Sequence, residues 1–177
     1  LLSMDTESQL DVISSKADAN GTRHYRYQQM FSGIPVWGEQ VVVSENASGS
    51  VKDLFGQMAG GLAADLNTNP KLMQKSRALH LAKNVRLGNR AASMIAQREN
   101  AQQMIFIGDD NKARMAYVVS FFADRPGGGA PTRPTVILDA QTGRVLKQWE
   151  GLTHALVGTG PGGNTKTGQY EYGTDFG

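Results

Sequence analysis

Cysteine is absent from the 177 residues. That removes disulfides, a thiol nucleophile and thiolate metal sites, although it leaves the compartment open. Histidine is scarce: His24, His80 and His154 lie far apart, and none has a His-x-x-x-His or Glu-paired helical spacing. A zinc site built within the chain is therefore not expected. No stretch approaches the ~18–20 apolar residues of a membrane span. Neither sign of charge dominates, with 18 Lys and Arg against 16 Asp and Glu for a net charge of +2. Like charges do not form blocks, so neither nucleic acid nor a membrane is expected as a partner. The start, Leu1-Leu2-Ser3-Met4-Asp5, has neither a basic segment nor an apolar run behind it. A signal peptide is expected to be absent or removed, and the missing initiator Met favours a processed or trimmed chain.

Catalytic patterns are missing as well. No Gly-x-Ser-x-Gly elbow occurs, and Asp53, Asp65, Asp139 and Glu150 fall in no spacing that reads as an acid–base pair. Gly158-Thr159-Gly160-Pro161-Gly162-Gly163 fits a G-x-G-x-x-G pattern. It lacks the strand before and the helix after that a dinucleotide site needs, and reads as a loop. Asp109-Asp110-Asn111 offers oxygen ligands without the closing Glu of a calcium loop, and reads as a solvated turn. His80, between Leu79 and Leu81, is expected to be half-buried and structural. His24 is expected to be exposed. The chain is not expected to be an enzyme.

What is present is a soluble composition, 40% hydrophobic and 19% charged, with room for one domain or two small ones. Asn20-Gly21 predicts a turn. A strand follows from Thr22, with Tyr25 and Tyr27 on one face. Gly33-Ile34-Pro35-Val36 breaks the pattern, and Pro35, which cannot donate to a ladder, suits a strand end or an edge. Strands through Trp37 and Gln40–Ser44, then Val51–Gln57, complete an antiparallel meander. Residues 60–69 read as a linker. A helix is predicted from about Pro70 to Gly88, carrying Leu72, Leu79, Ala82 and Val85 at helical spacing. A second helical segment is predicted from Arg90 to about Asn100. Four strands follow, through residues 104–107, 115–122, 135–138 and 144–149. The last two are joined by an Asp139–Gly143 hairpin in which Gly143 takes positive φ. The fold class is α+β, as two small domains, each an antiparallel sheet plus helix, with an extended C-terminal tail.

The composition breaks at Gln148-Trp149-Glu150-Gly151-Leu152-Thr153-His154-Ala155, and nine of the 21 glycines lie from Gly143 onward. His154 there reads either as an ordinary linker residue or as part of a segment that enters another protein's cleft.

Three segments carry a resemblance. Gln28-x-x-Phe31-x-Gly33-Ile34-Pro35-Val36-x-Gly38 resembles the core of the fungalysin/thermolysin propeptide motif. The segment from the Pro70 helix through Tyr117-Val118-Val119 and Pro134 to Leu146 resembles a PepSY domain. Trp149 to Ala155, with the following Gly160-Pro161-Gly162-Gly163-Asn164-x-Lys166-x-Gly168-x-Tyr170-x-Tyr172-Gly173, is similar to the propeptide–peptidase junction of vibriolysin-like zinc metalloproteases of the thermolysin family. The resemblance implies residues 1–66 as the first propeptide domain, 67–149 as the PepSY-like domain, and 150–177 as the junction and start of the mature peptidase. It implies a secreted precursor whose propeptide is an intramolecular chaperone and an inhibitor. Cleavage would fall between His154 and Ala155. Glu150, Gly151, Leu152, Thr153 and His154 would occupy the active-site cleft, with His154 near the partner's zinc. The partner would be the cognate catalytic domain, whose His-Glu-x-x-His helix would lie beyond residue 177. Zinc and calcium would belong to that domain, with no cofactor in this chain. A second reading is a stand-alone PepSY-type periplasmic binding or inhibitory module acting in trans.

Overall fold

The computed structural model describes residues 5–66, 71–151, 161–164 and 168–171. Eight strands form one mixed sheet in the order β1-β2-β3-β5-β6-β7-β8, with β4 paired to β3 off this path. They are β1 Ser8–Ala17, β2 Arg23–Phe31, β3 Ile34–Glu45, β4 Val51–Gly56, β5 Ile95–Ile107, β6 Ala113–Asp124, β7 Pro134–Asp139 and β8 Val145–Glu150. The helical elements are α1 Leu62–Asp65, α2 Lys75–Leu87 and a 3-10 turn, Gly88–Ser93. The class is α+β, dominated by strands.

The expected three-strand meander is present as β2 to β4, β1 adds a fourth strand on the side of β2, and all these pairings are antiparallel. Within the Gly33-Ile34-Pro35-Val36 stretch β3 begins at Ile34, so Pro35 stands at a strand end, where its missing donor fits. Ser32 and Gly33 both take positive φ, 47° and 77°, and make a two-residue hairpin that lets the strand begin at Ile34. The real irregularity comes next. Gln28 pairs with Gln40 and Met30 with Pro35, so Val36 to Glu39 bulge out opposite Gln29, helped by Gly38 at φ 78°. A bulge frees backbone groups from the ladder, and those of Val36 and Glu39 find other partners. Val36 pairs in parallel with Ile105 of β5. The buried Gln28 amide donates from Nε2 to the carbonyls of Val36 at 2.7 Å and Glu39 at 3.1 Å. The fully buried Gln29 forms a reciprocal pair with Ala59, accepting its N–H and donating to its C=O, both at 2.8 Å. Leaving such buried groups unpaired costs about 1–3 kcal/mol each. The two glutamines therefore hold the bulge and the chain after β4 in place.

The helix expected from about Pro70, a residue outside those described, is α2 and begins at Lys75. It ends at Gly88 with φ 52°. Ala78, Ala82 and Leu87 face β6 and β7, packing with Tyr117, Val119, Phe121, Val136 and Leu138. Val85, expected on the apolar stripe, is exposed. The helix expected over 90–100 is instead the 3-10 turn followed by β5. Ile95 pairs with Asp124 and Ala101 with Val119, so the long partner β6 draws these residues into a ladder and overrides a weak local preference.

A second cluster, Phe31, Val36, Leu62, Ile105 and Ala113, sits where the β1–β4 and β5–β8 halves meet. The short α1 is tied into it by its flanking carboxylates. Asp5 accepts the N–H of Leu62 at 2.8 Å, and Asp65 accepts the N–H of Ala113 at 3.0 Å. The Ala113 N–H, with Lys112 and Arg114, holds the Asp65 carboxyl below its ordinary value of 3.8. The Arg114 guanidinium does the same to Asp110. Folded values below unfolded ones mean that both ion-paired carboxylates stabilise the fold above the unfolded value, and that this is lost as pH falls through the folded values. Stability is therefore expected to drop below about pH 4, and Asp65→Asn to flatten that drop. Urea midpoints measured across pH 2–5 check this; equal slopes for the two proteins would contradict it.

Candidate functional site

The chain leaves the main sheet at the end of β8, and three elements converge there. β8 pairs with β7 up to Pro134–Glu150. The Glu150 carboxylate accepts the Arg133 N–H at 2.6 Å and the Thr132 hydroxyl, and pairs with Arg86 of α2 at 3.3 Å. Arg86 also reaches Gln148 Oε1 at 3.3 Å. The ladder runs one residue further, with the Gly151 N–H donating to the Arg133 carbonyl at 2.9 Å. A Cβ on Gly151 would stand 2.9 Å from that same carbonyl oxygen, so glycine permits the close approach. On the other face Trp149 packs against Trp37, with ring centroids 5.6 Å apart. Trp37 lies inside the β3 bulge. Both rings rest on Phe106, Ala116 and Ile137.

Of the expected arm residues, Glu150 and Gly151 are thus fixed on the body. Leu152, Thr153, His154 and Ala155 lie outside the described residues. Further along the chain, Pro161–Asn164 and Gly168–Glu171 form a two-stranded antiparallel pair, β9 and β10. The partners of Glu150 were not legible in the sequence. Arg86 is 64 residues away, and only the β7–β8 register brings Thr132 and Arg133 alongside.

The other expected positions divide differently. His24 is half-buried, not exposed, with Nδ1 2.9 Å from the hydroxyl of Ser44 and Nε2 3.5 Å from Asp18. Ser44 is buried and directly opposite His24 in the ladder. The trio is a cross-strand contact and a turn cap, since Asp18 Oδ1 accepts the N–H groups of Asn20 and Thr22. His80 is exposed, not half-buried, beside Asn84. Asp110 is occupied by Arg114 and the Lys112 N–H. Among the described residues no three His, Asp or Glu side chains converge to hold a metal. No helix among them is long and apolar enough to cross a membrane. An open hollow of about 530 Å³ between the halves is lined by Glu39 and Asp65. Burial raises Glu39, but Asp65 is held by Ala113 and Lys112, so the hollow has no free acid–base couple.

Residues 8–58 match the family model of the Fungalysin/Thermolysin Propeptide Motif. Strands β1 to β4 are a propeptide motif. The match takes in Gln28, Gln29, the bulge and Trp37, and ends before α1, so it does not reach the segment read as PepSY-like. The chain is 43% identical over 160 residues to the neutral protease of Vibrio proteolyticus, covering 89% of this chain and 26% of that one. It is 39% identical over 175 residues to the hemagglutinin/proteinase of Vibrio cholerae serotype O1, covering 97% and 28%. It is 31% identical over 180 residues to the zinc metalloproteinase of Legionella pneumophila, covering 94% and 32%. Homology to proteases of the vibriolysin and thermolysin family therefore covers most of the chain, and the chain spans about a quarter to a third of the length of these relatives. The propeptide motif is a non-catalytic region of metalloprotease precursors. Through the Trp37–Trp149 contact, it touches the residue next to Glu150.

Proposed function

We propose that the chain is the propeptide of a secreted zinc metalloprotease with the first residues of the peptidase attached. Residues 1–66 and 67–149 are its two propeptide domains, the second PepSY-like, and 150–177 is the junction and peptidase start. The observation that carries this is the alignment of nearly the whole chain with about a quarter of a protease, with the propeptide motif inside the aligned region.

The body acts as an intramolecular chaperone: by binding the native peptidase and not the unfolded chain, it shifts the peptidase toward its folded state. It acts as an inhibitor through the arm that follows β8. Glu150 roots the arm on the body, and the segment up to His154 lies extended in the cleft. After cleavage between His154 and Ala155 the new carboxylate of His154 stays there. Inhibition then depends on the body holding the arm at high local concentration, not on the affinity of the arm alone. Zinc and calcium belong to the peptidase. Residues 1–154 are therefore expected to inhibit the mature peptidase at least ~10²–10⁴ times more strongly than the isolated peptide 150–154. Parallel titrations of peptide hydrolysis decide it, and equal potency would sink the reading.

A further inference from the structure

Resting on the reading above, we propose that Glu150 is a positioning residue that acts from outside the cleft, and that its clamp selects which bond is cut. Its carboxylate gathers the Thr132 hydroxyl, the Arg133 N–H and the Arg86 guanidinium. These come from the β6–β7 connection and from α2, which is held against the sheet by Ala78, Ala82 and Leu87. The adjacent Gly151 is bonded to the same Arg133. The arm consequently has a fixed point of departure three residues before His154. An extended residue spans about 3.3–3.6 Å, so reach from Gly151 to His154 is roughly 10–11 Å. Losing the clamp lets β8 peel back by one or two residues and adds about 3.5–7 Å of slack. Bonds closer to the root, Leu152–Thr153 and Thr153–His154, then come within reach of the same catalytic centre. The clamp sets the register of the substrate as a hairpin turn sets the register of a strand.

The test uses the full-length precursor, followed by intact-mass analysis of the released propeptide over time. The wild type is expected to give one C-terminus, at His154. Glu150→Ala is expected to give added shorter products ending at Leu152 or Thr153, and to slow processing about tenfold to a hundredfold through misplacement of the bond. Glu150→Gln keeps an acceptor for Thr132 and Arg133 and is expected to restore the single product. Gly151→Ala, which presses a methyl group on the Arg133 carbonyl, is expected to blur the cut as Glu150→Ala does. It decides the matter if Glu150→Ala lowers the melting temperature enough to impair folding. Docking of the variant propeptides to the mature peptidase is expected to change by less than about tenfold, because the arm that the clamp roots is a small part of the contact area a stable complex needs. A single wild-type cut at the wild-type rate in both Glu150→Ala and Gly151→Ala overturns the proposal. A wild-type precursor that is not cut near His154 overturns the parent reading instead, and the two failures are read from different samples.

Discussion

Phe121→Ala is expected to cost about 3–5 kcal/mol of stability. Phe121 is 1% exposed and lies in β6, which is paired on both sides, by β5 and by β7. Its ring belongs to the cluster that receives Ala78 and Ala82 of α2. Those alanines bring the helix close to the sheet, and their short side chains cannot swing in to fill the space left by a phenyl ring. The cavity therefore persists, and both the transfer term and the cavity term are lost. A domain of this size has about 5–15 kcal/mol in all, so the variant is expected to be largely unfolded in mild denaturant. Urea titration followed by far-UV circular dichroism measures the shift. Val12→Ala is the control: Val12 is 57% exposed on β1, and its loss is expected to stay within about 0.5 kcal/mol. A Phe121 variant that matches the control would place the core elsewhere. On the proposed chaperone role, the loss of the body is also expected to lower the yield of active peptidase from the precursor.

Local chemistry was legible in the sequence, and distant chemistry was not. The Asp139–Gly143 turn follows from its residues alone: Asp139 Oδ1 accepts the N–H groups of Gln141 and Thr142 at 2.8 and 2.9 Å, and Gly143 has φ 76°. The stop of α2 at Gly88 follows from glycine in the same way. The stretch from Arg90 to Asn100 is ambiguous by itself because its Ala and Ile residues suit a helix or a strand, and the pairing with β6 that decides between them lies 20–29 residues ahead. Pro35 lacks a donor and suits a strand end, and it stands second in β3. The bulge makes that harmless, since β3 is leaving β2 at this point. The roles of Gln28 and Gln29 depend on Val36, Glu39 and Ala59 having carbonyls or N–H groups to satisfy, which no spacing reveals. The stretch from Gln148 to Ala155 stands out in the sequence as a change of composition, whereas the anchoring of Glu150 required the register of β8 on β7 and the reach of Arg86 from α2.

That division between root and arm leads to the other large effect. On the proposed function, deleting Leu152 to His154 is expected to abolish most inhibition of peptide hydrolysis while changing binding to the peptidase by less than about tenfold. The reasoning is one of areas. A stable complex needs roughly 1,200–2,000 Å² of buried surface, and three extended residues supply a small fraction of it, so the body carries the docking. Blocking the cleft, by contrast, is local to the arm, because Glu150 and Gly151 are bonded to Thr132, Arg133 and Arg86. A root fixed in this way cannot extend to replace the missing residues. The shortened protein is therefore expected to bind as a non-inhibitory partner that competes with the intact propeptide. Calorimetry for binding and a peptide substrate for activity, run on the same preparations, separate the two quantities. Proportional losses in both would mean that the arm is part of the docking surface and that the clamp at Glu150 holds it there for affinity, not for occlusion.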